Sequence, residues 1–84
     1  MRTTERSFLA MDAGQQREYL AEQLADWRDA QFWPLASAER FYRRAKVLAR
    51  RIGGTLEEVM ENLSADADAI EAARVEARAT EGMQ

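Results

Sequence analysis

The stretch Arg40–Leu63 limits what this chain can fold into more than any other. Arg40-Phe41-Tyr42-Arg43-Arg44-Ala45-Lys46-Val47-Leu48-Ala49-Arg50-Arg51-Ile52 leads to Gly53-Gly54-Thr55, and then to Leu56-Glu57-Glu58-Val59-Met60-Glu61-Asn62-Leu63. At the α-helical repeat, Ala38, Phe41, Tyr42, Ala45, Leu48, Ala49 and Ile52 share one arc, while Arg40, Arg43, Arg44, Lys46, Arg50 and Arg51 occupy the other, with only Val47 among the charges. Gly53 supplies the left-handed residue that closes a helix, and Arg50 and Arg51 suit the negative end of its dipole. Thr55 with Glu58 three residues on has the form of a capping box, which starts a new helix at once. Two independent local signals therefore specify a basic helix, a glycine turn and an acidic helix.

The flanks extend this hairpin into a bundle. Asp12 followed by Gln15 is a second capping box, opening a helix over roughly residues 13 to 31. Leu20, Leu24 and Trp27, flanked by Ala13, Tyr19 and Ala30, form its apolar stripe, with Glu18, Glu22, Asp26 and Asp29 opposite. Pro34 is expected to end that helix, because proline cannot donate to the ladder and disfavours helical geometry in the residue before it. The next helix is predicted to begin between Leu35 and Ser37. Beyond Thr55, the spacing of Leu56, Met60, Leu63, Ala67, Ile70, Arg74 and Ala77 is a fading heptad seam. Ser64-Ala65-Asp66 offers a competing cap, so this helix either continues past Ser64 or breaks there and restarts. The fold class is all-α: one domain over residues 1–84, a three- to four-helix bundle with the Gly53-Gly54 hairpin at its centre. Residues 1–11 form either a short helix capped by Thr4 or a docking arm, and residues 81–84 are expected to fray.

Composition then removes classes of chemistry. The chain has 84 residues and neither Cys nor His, so disulfides, Cys/His zinc sites, thiol nucleophiles and imidazole acid–base catalysis are excluded. No cofactor or metal site is expected, and no small-molecule substrate. The carboxylates lie on polar helix faces, where ordinary pKa values are expected, and Glu57-Glu58 and Asp66/Asp68 read as helix-start charges. The sequence therefore points away from an enzyme. No apolar run approaches the roughly 20 residues of a membrane span, which makes cytoplasmic residence the default expectation.

Two features remain for binding. Phe32-Trp33-Pro34-Leu35 is the most apolar patch in the chain. Its weightier reading is a loop that tucks Phe32 and Trp33 into the core, and its other reading is an exposed aromatic anchor for a protein partner. The second feature is the cationic face of the Arg40–Ile52 helix. Against it stand eight acids to two bases over residues 56–84, and six to four over residues 1–38, so neighbouring helices are expected to cancel much of its field.

Leu48, Ala49, Ile52, Gly53 and Val59 resemble the helix-turn-helix pattern of bacterial repressors and related regulators: a small residue, a glycine four later and an apolar residue six after that. The resemblance implies a small transcriptional regulator that binds DNA. The sequence departs from the pattern at Gly54, where an apolar turn residue is usual, and at Asn62, where the second helix usually packs inward. The helix that would enter the groove carries Glu57, Glu58 and Glu61 and no cation, which opposes phosphate neutralisation. The function expected is non-catalytic protein binding, as an adaptor module and with a lean toward a homodimer. The contact candidates are Phe32, Trp33, Leu35, Arg40, Arg43, Arg44, Arg50 and Arg51. The DNA-binding regulator is the alternative, and a small accessory or inhibitor protein of a phage or mobile element is a further one.

Overall fold

Local capping chemistry sets where each helix starts. The computed structural model describes residues 4–82, and among them the chain is entirely helix and short connections. Helix α1 (Glu5–Ala10) begins where Thr4 Oγ1 accepts the Ser7 N–H at 3.0 Å. Helix α2 (Ala13–Ala30) begins at a complete capping box: Asp12 Oδ1 accepts the Gln15 N–H at 2.8 Å, and Gln15 Oε1 accepts the Asp12 N–H at 3.0 Å. Helix α3 (Leu35–Ile52) follows Pro34, whose fixed φ of −60° launches it without a side-chain cap. Helix α4 (Leu56–Gly82) starts where Thr55 Oγ1 accepts the Glu58 N–H at 3.2 Å.

The helix ends show one chemistry twice. At Gly53, with φ 71°, the Gly54 N–H reaches the Ala49 carbonyl and the Gly53 N–H the Arg50 carbonyl, the paired bonds of a Schellman ending. At the end of α2 the same pair recurs, Phe32 N–H to Trp27 O and Gln31 N–H to Arg28 O, but the left-handed residue is Gln31 with φ 53°. Thus α2 stops at Ala30 through its own Schellman turn. Pro34 stands beyond the stop and serves α3 instead, which corrects the role expected of it.

Ser64 does not break α4. The helix runs 27 residues without interruption, about 40 Å at the α-helical rise, and sets the long dimension of the 45 × 24 × 21 Å molecule. It continues through Gly82, past the start of the tail expected to fray; residues 83 and 84 lie outside the described residues, as do residues 1–3 of the expected docking arm. Helix α2 packs most extensively on α4, and α3 packs on both. The core between them holds Leu20, Ala21, Leu24 and Ala25 of α2, Phe41, Ala45, Leu48 and Ala49 of α3, and Val59, Leu63 and Ala67 of α4. Phe8 joins it from α1 with no exposed surface, so the N-terminal segment is both a capped helix and a docked arm.

Candidate protein-binding face

Ion pairs divide the chain's cations into two groups. Between α2 and α4, Arg17 makes a two-bonded contact to Asp66 at 2.6 and 3.0 Å. Arg28 reaches Asp68 at 2.7 Å and the Ser64 hydroxyl at 2.8 Å, and lies 3.7 Å from Glu71. Arg74 returns from α4 to Asp26 at 2.8 Å and Asp29 at 2.9 Å. Arginines thus bridge the α2–α4 seam in both directions. The Arg17 guanidinium, chiefly by its hydrogen bond, holds the Asp66 carboxyl below the usual carboxylate range, and Asp66 in turn raises Arg17. Asp66 and Asp68 are therefore mid-helix partners of α2 cations rather than helix-start charges, and Asp66 does not keep an ordinary pKa.

The cations of α3 stand apart. Among the described residues, no carboxylate lies within ion-pair distance of Arg40, Arg43, Lys46 or Arg50, and all four are exposed. Of the acids expected to answer this ridge, Glu5 pairs with Arg44, several are committed to Arg17, Arg28 and Arg74, and others, such as Glu57, Glu58 and Glu61, are exposed without a pairing cation among the described residues. Arg51, also exposed, donates to the Met11 carbonyl and so ties the end of α3 to the loop after α1.

Arg44 does not belong to the exposed ridge. Its side chain is 3% exposed, with Nε donating to Glu5 at 2.8 Å and Nη1 to the Tyr19 hydroxyl at 3.1 Å. The guanidinium lies over the Phe8 and Tyr19 rings, 5.4 and 5.7 Å from their centroids. Burial of this charge is tolerated because polar partners and ring faces replace its water. Arg44 is removed from the partner-contact set for this reason.

The apolar arc of α3 is also shifted from its expected position. Tyr42 is 43% exposed and Ile52 50% exposed. Tyr42 turns outward, its ring edge-on to that of buried Phe41 at 5.9 Å, while Ile52 faces inward at a level where little of the bundle remains to cover it.

The corner between α2 and α3 presents the aromatic patch. Phe32 is 65% exposed and Leu35 76%, so the expectation that Phe32 tucks into the core is corrected. After the Schellman turn at Gln31 the chain has already left the core, and Phe32 leaves with it. Trp33, 42% exposed, rests half on the bundle: its ring meets Trp27 at 4.8 Å, and Trp27 meets Phe41 at 5.3 Å. These stacked rings hold Trp33 in place while leaving one side open, the condition of a rigid aromatic anchor.

Little else invites chemistry. A cleft of about 200 Å³ lies among Ala13, Gly14, Leu48, Ile52, Val59 and Leu63, with Arg17 and Asn62 at its edge. It is apolar, smaller than the few hundred Å³ of ordinary ligand sites, and its one charged group is already bonded to Asp66. No group of three acidic side chains among the described residues is arranged to hold a metal ion. None of the helices they form is long and apolar enough to cross a membrane. Comparison with protein-family models, curated proteins and solved structures finds no match for this chain.

Proposed function

We propose that this chain is a non-catalytic protein-binding module, and that its contact surface is the cationic face of α3 together with the aromatic corner before it. The observation that carries the reading is selective pairing. Arg17, Arg28 and Arg74 are bonded across the α2–α4 seam, whereas Arg40, Arg43, Lys46 and Arg50 are exposed with no carboxylate of the described residues within ion-pair distance. A charge that no intramolecular partner answers is available to steer and orient an incoming one. Trp33, stacked yet half-open, supplies the apolar anchor that charges alone lack.

The test is affinity capture from the native host on immobilised wild type, Trp33→Ala and the double variant Arg40→Glu/Arg43→Glu. All three substituted side chains are exposed, so helicity should be preserved. The expected result is a protein retained by wild type and depleted at least tenfold, roughly, on each variant, the scale of a single hot spot. Full retention on both folded variants would refute the assignment.

The open ridge also lends support to the DNA-binding regulator, since four cations on one helix face can track a phosphate backbone. Exposed Glu57, Glu58 and Glu61 on the following helix oppose it. Polarisation titrations with mixed-sequence duplex at low and moderate salt separate the two. Salt-sensitive binding weakened by changes at Thr55 or Glu58 favours the regulator, and no binding even at low salt removes it.

A further inference from the structure

We infer that the partner of the α3 face is a second copy of this chain, which contributes the carboxylate face at the start of its α4. The inference rests on the protein-binding reading above and names the occupant. Once the internal ion pairs are made, exposed charges of both signs remain, Glu18, Glu22 and Glu39 among them, and two helical groups of opposite sign stand out. One is Arg40, Arg43, Lys46 and Arg50 on α3; the other is Glu57, Glu58 and Glu61 on α4, and among the described residues no member of either set has an oppositely charged group within ion-pair distance. The lengths are compatible: the cations span about 15 Å of helix and the carboxylates about 6 Å, so the acidic turn fits within the basic one.

A second copy explains what a single copy leaves open. Every chain carries both surfaces, so cationic and carboxylate faces are always present in equal number. The aromatic corner lies just before α3, and Trp33 there and Tyr42 on α3 keep exposed apolar surface open to a second copy. Exposed charge pairs contribute little each, so the association is weak, with a dissociation constant on the order of 100 µM, and it is screened by salt.

Charge exchange tests this without knowledge of any other partner. Arg40→Glu/Arg43→Glu/Lys46→Glu makes both surfaces acidic, and Glu57→Lys/Glu61→Lys makes the α4 turn basic while leaving Glu58 at its capping position. Circular dichroism verifies that each variant keeps wild-type helicity. Sedimentation velocity should show wild type dimerising at low salt, with affinity falling at least about tenfold when salt is raised to around 0.3 M. Each variant alone should be monomeric, and an equimolar mixture should restore the dimer, since the exchanged side chains of one variant again face charges of opposite sign on the other. Trp33→Ala should weaken the wild-type dimer as well.

The inference is overturned if wild type stays monomeric at about millimolar concentration and low salt, if the variants self-associate as wild type does, or if the mixture fails to recover. A monomeric wild type that binds mixed-sequence duplex in a salt-sensitive manner overturns it too. If wild type is monomeric yet its capture of another protein is lost on Arg40→Glu/Arg43→Glu, self-association falls and the protein-binding reading stands. If neither dimerisation nor capture responds to these variants, both fall.

Discussion

Phe8→Ala is the most informative single perturbation of this fold, because Phe8 is the one buried side chain that α1 contributes to the core. The helix is six residues long, well below the length at which isolated helices persist in water, so docking maintains it. Phe8 has no exposed surface, sits 6.0 Å from the Tyr19 ring and lies beneath the Arg44 guanidinium. The remaining ties are the Gln16 amide to the Phe8 carbonyl at 2.9 Å, Arg51 to the Met11 carbonyl, and Arg44 to Glu5. A core Phe→Ala change costs about 3–5 kcal/mol where the surroundings cannot collapse. Here they can yield, because α1 can detach and let Arg44 regain water, so the cost is capped near the docking energy, about 2–3 kcal/mol. Against a total of roughly 4–13 kcal/mol for a chain of this size, that is a loss of about 10–20 °C in Tm. Urea unfolding followed by circular dichroism gives the magnitude, and hydrogen exchange of residues 5–10 gives the mechanism. Exchange in α1 should approach unprotected rates while Leu20 through Ala25 stay protected. Adding Glu5→Gln to Phe8→Ala should cost nothing further, because the ion pair is already open. A loss below about 0.5 kcal/mol, or a variant that keeps α1 protected, would falsify the picture of α1 as a helix held by one side chain.

Two further predictions concern caps and charge. Gln31→Gly should stabilise the protein by about 0.5–1 kcal/mol and Gly53→Ala destabilise it by about 1 kcal/mol, since both positions are left-handed and only glycine adopts that geometry without strain; effects of the same sign in thermal melts would contradict the account. The depressed Asp66 pKa contributes stability that is present above the unfolded-state value near 3.8 and is lost as pH falls through the lower folded-state value. Asp66→Asn should therefore be less stable than wild type at neutral pH, with the difference shrinking in acid; a pH-independent difference in urea midpoints would contradict the Arg17–Asp66 account.

The helix starts and the turn at Gly53 were legible in the sequence because capping is local: Thr4, Asp12 with Gln15, and Thr55 each act on an N–H three residues away. What depended on tertiary neighbours was not. Arg44 lies on the boundary of α3, about 40° from exposed Arg40 and about 60° from buried Phe41 around the helix. Which side of that boundary becomes interior is decided by where α1 docks, and a helical pattern of α3 alone carries no such information. Tyr42 sits at the opposite boundary, and the same ambiguity left it outside. The end of α2 was placed to within a residue but assigned to Pro34, because the left-handed residue there is Gln31, and nothing in its chemistry announces that conformation as glycine does. For Ser64 the competing cap lost because Arg28 reaches the hydroxyl from α2, across a helix already continuous through Leu63 and Ala67 in the core.

The candidate surface follows from the same distinction. Counting charges along the chain makes the acidic helices an apparent answer to the basic one, since the count ignores which faces meet. Helix α4 packs mainly on α2, so its Asp66, Asp68 and Glu71 fall within reach of Arg17 and Arg28. Helix α3 also packs on α4, and the two contribute Phe41, Ala45, Leu48 and Ala49 and Val59, Leu63 and Ala67 to the common apolar core. The cations of α3 therefore fall on the side turned away from both neighbours, and the carboxylates of the first turns of α4 do likewise. Pairing the α2–α4 seam with arginines and filling the common core with apolar side chains leaves two groups of opposite charge on the outside of one small bundle. The proposed interaction between copies would satisfy both surfaces at once.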